Sequence, residues 1–360
     1  MKKKVLNIAD VKPNYYVGGM NAMVNQLNQG LKDLGFNSYL LFFNGESVDE
    51  SFIKFTGLYE LFSVLRKERF DVVIIHSIYH PLFPIISVLT KLVGSKLFIQ
   101  SHGSLTKNAF FKPSIKKILY RPLIKLMLFL SDKFIFSNES EFHNSIIVKK
   151  ERVEYIPNLI AYEPTEAIYK NHGNKFVFLG KIDFYYKGIE TMLHAFQEIK
   201  KQGYEFQLDI FGYGENKSLS LQEMKTSEPE VVKMLSLINA LELNDFVTFH
   251  GLLEPSKRKI MSENYDALVL FSNSEAMPLV ISEALGDGLP VIVNKKTNMS
   301  SYVETHKCGL VADTNAESAL REFIDLSDED KREMSKSAKK CFDEFLNIKH
   351  LEKSLKEIEI

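Results

Sequence analysis

The chain has 360 residues, of which 45% are hydrophobic and 25% are charged, and its net charge is −1. That length exceeds what one hydrophobic core usually supports, so we expect two domains of ordinary globular composition. The two cysteines, Cys308 and Cys341, are too few for a disulfide framework and too far apart for a metal motif, which excludes a disulfide-stapled secreted domain.

The net charge hides an uneven distribution. Residues 1–160 contain 21 basic and 13 acidic residues, a net charge of +8, whereas residues 161–360 contain 24 basic and 33 acidic residues, a net charge of −9. A basic half beside an acidic half suggests that one face meets an anionic partner. Neither the amino-terminal lysines nor the interrupted apolar stretch 72–93 fits a signal peptide or a transmembrane helix, so we expect a cytoplasmic protein.

The first half alternates short apolar runs with longer amphipathic segments, which predicts strands separated by helices. The predicted strands are 4–10, 38–43, 71–77, 96–102, 133–138 and 153–158, and the predicted helices lie near 20–34, 57–68, 82–93, 113–130 and 139–148. Near-continuous apolar strands between helices are typical of a parallel sheet that is covered on both faces.

A polar stretch rich in Pro and Gly, residues 158–175, interrupts this alternation and predicts a linker. The alternation then resumes, with predicted strands at 176–180, 207–212, 247–251, 267–272, 290–294 and 309–313. We therefore predict an α/β fold with two Rossmann-like, doubly wound domains facing across a cleft. The predicted domains are 1–160 and 161–345, with a last helix, 346–360, that could pack on the first domain. In such folds the carboxyl ends of the strands border the ligand site.

The segment SNSEAMPLVISEALGDGLPVIV, residues 272–293, places Glu275 in the turn after a buried strand and Glu283 in the helix that follows. Pro278 suits the first position of that helix, so we predict a helix over 278–287. The backbone N–H groups of Leu279 and Val280 would then form an anion-binding site, here called the anion seat, at the positive end of the helix dipole. Carboxylates beside an anion seat suit a phosphate that carries hydroxyl groups, as in a sugar nucleotide. Each Glu alone could equally be a helix cap or a solvated residue.

This segment resembles the E-x7-E signature of retaining glycosyltransferases with the GT-B fold, most closely glycosyltransferase family 4. A second block, FLGKIDFYYKGIETMLHAFQEIK (178–200), looks like the block of that family in which two basic residues flank the loop, here Lys181 and Lys187. Two ammonium groups beside the leaving oxygens would stabilise the negative charge of a departing nucleoside diphosphate. The family more often has Arg where Lys181 stands, and it often has Phe-Gly where Met277 and Pro278 stand here.

The resemblance also gives roles to several weaker signals. It implies that the Gly-x-Gly of DIFGYGEN and the stretch FHGLL lie near the nucleotide, that a glycine pair after the first strand approaches the diphosphate or acceptor, and that the strand-end His-Gly faces the donor sugar. The corresponding candidates are Gly212, Gly214, Gly251, Leu252, Gly18, Gly19 and His102. His76 and His80 are weaker candidates for the acceptor side. Taken singly, each of these residues fits a structural role as well.

Two further stretches need an interpretation. Asp328 and Asp330 could suggest a metal-binding pair, but acidic residues after Ser327 are typical of a helix start, so we expect no metal. Residues 110–133 place Lys117, Arg121 and Lys125 at four-residue spacing among apolar residues. A core helix with a solvated basic edge is one interpretation; a surface for an anionic membrane or a lipid-diphosphate acceptor is the other.

The resemblance implies a metal-independent, retaining hexosyltransferase that needs no cofactor. It would move a sugar from a nucleoside-diphosphate sugar, such as a UDP- or GDP-sugar, to a hydroxyl of a saccharide or lipid-linked saccharide. Surface-polysaccharide or glycolipid assembly in bacteria, in the cytoplasm or at the inner face of the cytoplasmic membrane, would suit such an enzyme, and we expect no nucleic-acid partner. Two alternatives stay open: a GT-B-like sugar-nucleotide epimerase, and a non-catalytic partner subunit that binds a sugar nucleotide.

Overall fold

The computed structural model describes residues 2–14, 18–46, 49–111, 114–161, 169–216, 218–253, 261–313 and 315–357. The chain divides into two compact units. The first comprises Met1–Ala161 together with Ile348–Ile360, and the second comprises Tyr162–Asn347. Within the described residues, no helix combines the length and the apolarity that a membrane span requires.

The first unit is built on a seven-stranded parallel sheet with the order β3-β2-β1-β4-β5-β6-β7. Its strands are β1 (Lys4–Ala9), β2 (Asn37–Phe42), β3 (Phe52–Lys54), β4 (Val72–His76), β5 (Lys96–Gln100), β6 (Lys133–Phe136) and β7 (Val153–Tyr155). Its helices are α1 (Gly19–Asp33), α2 (Leu58–Glu68), α3 (Phe83–Leu92), α4 (Lys107–Phe111), α5 (Ile115–Leu130), α6 (Glu139–His143) and, from the end of the chain, α14 (Leu351–Glu357).

Helices cover both faces of this sheet because neighbouring residues along each strand point to opposite faces. On one face, Leu6 and Ile8 pack in a buried cluster with residues of α2, α3 and α5. On the other face, Val5 packs with residues of α1 and α14, including Leu351 and Leu355. A Cβ on Gly30 of α1 would lie 2.6 Å from the Leu351 side chain, so this glycine permits the close approach of α14.

The second unit contains a six-stranded parallel sheet with the order β10-β9-β8-β11-β12-β13. Its strands are β8 (Lys175–Leu179), β9 (Gln207–Phe211), β10 (Val247–Gly251), β11 (Ala267–Leu270), β12 (Val291–Asn294) and β13 (Gly309–Ala312). Its helices are α7 (Ile189–Lys201), α8 (Leu221–Ser227), α9 (Pro229–Ala240), α10 (Leu279–Gly286), α11 (Ser300–His306), α12 (Ala316–Asp325) and α13 (Asp328–Cys341). Both cysteines are buried free thiols.

The predicted fold class is confirmed: both units are doubly wound α/β layers, and all twelve predicted strands are present. Two details differ, and a third, at Asp328 and Asp330, agrees with the predicted helix start. The sequence analysis missed β3, a three-residue strand beside β2 that is too short to give a periodic signal. The helix predicted over 139–148 ends at His143, because the Asn144 carbonyl instead accepts the N–H of Lys107 and the N–H of Ile146 donates to the Leu105 carbonyl. Asp328 and Asp330 lie in the first turn of α13, where the Ser327 side chain accepts the N–H of Asp330.

Candidate functional site

The crevice between β8 and β11 is the point in the second unit where the chain changes direction across the sheet. From β8 the chain continues to β9 on one side, and β11 lies on the other side. Loops that leave the carboxyl ends of two such strands diverge and create a crevice where ligands of doubly wound folds bind. Here those loops are 180–188 and 271–278, which contain the predicted residues Lys181, Lys187, Glu275, Met277 and Pro278.

Lys187 and Glu275 meet at this crevice. The Lys187 ammonium lies 2.5 Å from Oε1 of Glu275, and the two side chains are only 19% and 15% exposed. The Ser272 hydroxyl donates to the same oxygen at 3.0 Å, and the Asn298 amide donates to the backbone carbonyl of Glu275. The sequence analysis gave Lys187 and Glu275 separate roles; the structure brings them into direct contact.

Helix α10 begins beside this pair. Pro278 is its N-cap, with an extended backbone, and Leu279 is the first helical residue, one position later than predicted. The reason is that Pro278 keeps the ψ of an extended residue, 122°, while its carbonyl accepts the N–H of Ile281. No side chain caps this start among the described residues. The N–H groups of Leu279 and Val280 therefore head the helix.

The two remaining residues of the segment lie on either side of the N-cap. Met277 is buried just before it, and Glu283 lies in the second turn of α10. Ser282 and Ala284 on the same helix are fully buried, whereas Glu283 is half-buried. Glu283 is therefore partly exposed to solvent.

Gly188, which follows Lys187, is the most constrained residue of the loop 180–188. It adopts the left-handed conformation (φ 60°, ψ 33°) as the N-cap of α7. A Cβ on it would lie 2.0 Å from the carbonyl oxygen of Phe271, at the end of β11. The two loops of the crevice are thus in backbone contact, which fixes Lys187 next to the turn that carries Glu275.

Lys181 lies at the same edge of the sheet, but its side chain is more exposed than that of Lys187. Its ammonium pairs at 2.6 Å with Glu215 of the next loop, and the side chains are 33% and 75% exposed. Such an exposed pair contributes little to stability and yields readily to another anion. A Cβ on the adjacent Gly180 would lie 3.8 Å from Cε of Lys187, so the Lys187 side chain passes close to the backbone next to Lys181.

The glycines predicted near the nucleotide have structural reasons as well. A Cβ on Gly212 would lie 2.2 Å from the carbonyl oxygen of Gly180, and one on Gly214 would lie 2.2 Å from the Glu228 carboxylate. Gly251 has a positive φ of 75° at an irregularity of β10, and its carbonyl accepts the N–H of Gly212. Leu252 follows directly. These glycines allow three loops to pack closely at one edge.

Glu228 is a residue that the sequence analysis missed. It is buried, precedes α9, and accepts the backbone N–H groups of Glu215 and Asn216 at 2.7 and 3.0 Å. Those two N–H groups are therefore engaged by the protein, and the Gly-x-Gly turn shapes the crevice without offering them to a ligand. A Glu directly before Pro229 was the only sequence signal for this helix-start position.

In the first unit, the corresponding crevice lies between β1 and β4, and a chain of polar side chains crosses the strands beside it. Nδ1 of His76 lies 2.9 Å from Nε2 of His102, and Nε2 of His76 lies 3.1 Å from Oδ1 of Asn7. The Asn7 amide nitrogen faces three acceptors, including Asn28 and Ser38, so its Oδ1 accepts a hydrogen bond from Nε2–H of His76. Neutral His76 then accepts from His102, whose Nδ1 remains an acceptor.

Burial explains why both histidines are neutral. It lowers the pKa of His102 to about 4. Burial, followed by the proximity of His102, lowers the pKa of His76 well below its ordinary value. His76 ends β4, and His102 lies just beyond β5 in a left-handed conformation (φ 46°).

A second missed residue, Glu141, holds the His-Gly turn. It is fully buried in α6 and accepts the N–H of Gly103 at 2.7 Å as well as the N–H and hydroxyl of Ser137. The neighbouring His80 stacks on Phe43, with ring centroids 4.0 Å apart. The loops at the carboxyl edge of this sheet are therefore held by side-chain contacts.

The remaining candidates of the first unit have different environments. Gly18 is the N-cap of α1 with φ 92°, a conformation that requires glycine, whereas a Cβ on Gly19 would meet nothing within 4 Å. Residues 15–17 before them lie outside the described part. On α5, Arg121 stacks over Phe110 and Phe111, and Lys125 is exposed; the side chain of Lys117 lies outside the described part.

The architecture is that of GT-B glycosyltransferases. It matches HepE from Anabaena, solved with UDP, at a TM-score of 0.75 and 14% identity, covering 100% of this chain and 99% of that one. It also matches sucrose-phosphate synthase from Thermosynechococcus elongatus at a TM-score of 0.70 and 17% identity, covering 99% and 98% of the two chains. At these identities the likeness concerns the fold.

The sequence comparisons concern a narrower region. The sequence model of the family described as "Glycosyl transferases group 1" matches residues 166–341, most of the second unit. A putative colanic acid biosynthesis glycosyltransferase of Escherichia coli is 25% identical over 144 residues, which are 38% of this chain and 32% of that protein. The match thus spans about a third of that relative's length. Together these comparisons support a glycosyltransferase.

The contact at Gly188 leads to a first prediction. Gly188→Ala adds the strain of a left-handed alanine and a clash with Phe271, so we expect a loss of at least about 3 kcal/mol in unfolding free energy. Gly203→Ala is the matched control, since Gly203 also has a positive φ (87°) but has nothing within 4 Å of a Cβ. It should cost about 1 to 2 kcal/mol. Urea unfolding followed by circular dichroism measures both; equal losses would contradict the contact.

The histidine pair leads to a second prediction. Because the folded pKa of His102 is about 4, whereas an unfolded histidine titrates near 6.5, the unfolded chain binds more protons between these values. The contribution of His102 to stability is complete above pH 6.5 and is lost as the pH falls toward 4. We expect the urea midpoint of His102→Gln to fall less steeply between pH 6.5 and pH 4 than that of the unsubstituted protein. The pH dependence that remains in this variant would come from His76. The unsubstituted protein is the reference, and a pH profile of His102→Gln identical to that reference would refute the assignment.

Proposed function

We propose that the protein is a retaining glycosyltransferase of family 4, which transfers a hexosyl group from a nucleoside-diphosphate sugar to an acceptor hydroxyl. The observation that carries this proposal is the Lys187–Glu275 pair, held beside the uncapped start of α10 at the crevice between β8 and β11. Such a donor has a diphosphate, sugar hydroxyl groups and a leaving oxygen that gains negative charge. In this crevice the basic group and the helix start suit the diphosphate and the charge on the leaving oxygen, and the carboxylate suits the hydroxyl groups.

The diphosphate would bind to the lysines and the helix start. The N–H groups of Leu279 and Val280, with the positive end of the helix dipole, suit one phosphate. Lys187 has three N–H donors, so it can bind a phosphate oxygen while it keeps Glu275. Lys181 can exchange the exposed Glu215 for the ligand at little cost. Negative charge grows on the leaving diphosphate as the glycosidic bond breaks, and these groups would stabilise it.

The hydroxyl groups of the donor would bind to the carboxylates. Glu283, half-buried in the second turn of α10, would accept hydrogen bonds from the ribose. Glu275, fixed through Ser272 and Asn298, would accept hydrogen bonds from the sugar. In the first unit, His102 would offer Nδ1 as an acceptor to a sugar hydroxyl, because His76 fixes its tautomer.

The lysines and the helix start supply positive charge of the kind that a metal ion supplies in other sugar transferases. We therefore propose a reaction without a metal or other cofactor. The departing diphosphate oxygen would take the proton of the acceptor hydroxyl. The proton that the acceptor loses is then bound by the leaving group, and no residue of the protein has to accept it.

The acceptor is proposed from the relatives. One relative is described as a putative colanic acid biosynthesis glycosyltransferase, and a structural neighbour, WaaG, as a glycosyltransferase involved in lipopolysaccharide biosynthesis. We propose that this chain likewise extends a saccharide or lipid-linked saccharide in surface-polysaccharide or glycolipid assembly, at the inner face of the cytoplasmic membrane.

Two alternatives make different predictions. A sugar-nucleotide epimerase would form a new sugar nucleotide without any acceptor. A non-catalytic partner subunit would bind the donor and turn over no acceptor. Incubation of the protein with the donor alone, and then with candidate acceptors, separates the three.

Donor binding is the first test of the proposal. In a thermal-shift panel of UDP-, GDP- and ADP-sugars and free diphosphates, one nucleotide family should stabilise the protein. At a hundredfold excess over its dissociation constant, the ligand should contribute about 2.7 kcal/mol. Glu283→Ala and Lys187→Met should abolish the shift, and EDTA should leave it unchanged. Glu205→Ala, an exposed residue before β9 at the opposite edge of the sheet, is the matched control. A shift that survives in both site variants would place the donor elsewhere.

The stereochemistry of the product is the second test. A retaining transfer gives a product whose new glycosidic bond has the same anomeric configuration as the donor. The proton NMR coupling constant of the anomeric proton measures this directly once the donor and an acceptor are known. An inverted product would exclude the retaining mechanism, although the proposed donor site could stand.

A further inference from the structure

The outer face of α5 carries an unusual set of exposed apolar side chains. Ile115, Leu119 and Phe129 are 79%, 76% and 80% exposed, and Phe111 just before the helix is 59% exposed. The outer face also includes Ile118, Leu123 and Leu126, and the neighbouring α3 adds Ile85 and Leu92. Isolated exposed apolar residues are ordinary, but a contiguous group of this kind marks an interaction surface.

The geometry of the helix sorts these residues onto one side. At about 100° per residue, the exposed apolar positions from Ile115 to Phe129 fall within an arc of about 140°. The buried residues Ile124 and Met127 lie on the opposite side, against the sheet. Helix α5 therefore has two apolar faces, and only the inner one belongs to the core.

The charges around the outer face select the kind of partner. Lys116 and Lys125 border the apolar arc on its two sides, within about 20° of its edges, and both are exposed. Residues 104–131 contain six basic residues and no acidic residue. The long apolar stems of the lysines can lie along the apolar strip while their ammonium groups reach the headgroups. A strip bordered in this way fits the interface of an anionic bilayer.

We propose that α5, with the adjacent end of α3, is the surface by which this protein lies on an anionic membrane. The apolar strip would enter the boundary between headgroups and acyl chains, with the helix parallel to the surface over its length of about 24 Å. Lys116 and Lys125 would meet the anionic headgroups. A second copy of the chain fits less well, because a symmetric contact between two α5 helices would bring basic borders together with no acid on the helix to pair them.

This surface goes beyond the proposed transfer reaction and stands independently of it. Vesicle binding needs no donor, and donor binding needs no vesicle, so either proposal can fail while the other holds.

The test is co-sedimentation of the full chain with vesicles of phosphatidylcholine that contain 30% phosphatidylglycerol, compared with vesicles of phosphatidylcholine alone. We expect binding to the anionic vesicles that weakens between 0.1 and 0.5 M NaCl. The double variant Leu119→Gln/Phe129→Gln should weaken it by at least about tenfold, because two large apolar side chains no longer enter the interface. Lys116→Gln/Lys125→Gln should weaken it by about fivefold per lysine.

Matched controls replace equally exposed residues elsewhere in the first unit. Tyr59→Gln/Val148→Gln changes two apolar side chains that are 81% and 89% exposed, and Lys54→Gln/Lys67→Gln changes two exposed lysines. Neither should alter binding, and circular dichroism should show all variants folded. Equal binding to neutral vesicles, or equal losses in test and control variants, would overturn the proposal. So would absent vesicle binding together with a dimer, detected by light scattering, that Leu119→Gln/Phe129→Gln dissociates.

Discussion

Parallel strand pairing is the constraint on which both candidate sites depend. Every strand contact in the two sheets is parallel, so all carboxyl ends in a unit lie at one edge and residues distant in sequence meet there. Lys187 and Glu275 are 88 positions apart, and His76 is 69 positions from Asn7. Strand order therefore determines which side chains meet at each edge. A helix start or a lysine can act on a ligand only together with the residues of the loop that lies beside it.

Loops at such an edge must be held without a regular hydrogen-bond ladder, and both units use a buried carboxylate to hold them. Glu141 binds the N–H groups of Gly103 and Ser137, and Glu228 binds those of Glu215 and Asn216. A carboxyl group has two oxygens that can accept several N–H hydrogen bonds at once, so one buried side chain fixes a loop at several points. Those N–H groups are therefore engaged by the protein, whereas α7 and α10, which follow the two loops of the crevice, begin without a side-chain cap in the described part of the chain. In the proposed reaction, these helix starts and the nearby lysines would form a preorganised site for the charged leaving group.

The sequence was sufficient to predict the strands because parallel strands covered on both faces are continuous apolar runs. The E-x7-E spacing marked Glu275 and Glu283 as candidates, and their roles stay predictions. What it could not predict depends on contacts between loops. The Lys187–Glu275 pair requires that β8 and β11 be neighbours, and the role of Glu228 requires the path of the loop after β9. Lone residues such as His76 gave only a weak signal, because their environment is set by other strands. Short β3 gave none, since three residues have no period.

Helix α5 illustrates a different limit of sequence patterns. Apolar periodicity shows that a helix has an apolar face, but α5 is apolar on two faces, and no pattern says which of them meets the sheet. Only the structure separates Ile124 and Met127, which are buried, from Leu119 and Phe129, which face outward. Apolar surface left in water costs roughly 25 cal/mol per Å², so the outward face carries free energy that only a partner can release. If a lipid surface released this free energy, it would hold the first unit where a lipid-linked acceptor is found. The donor proposed for the crevice of the second unit is a water-soluble sugar nucleotide, which needs no such surface.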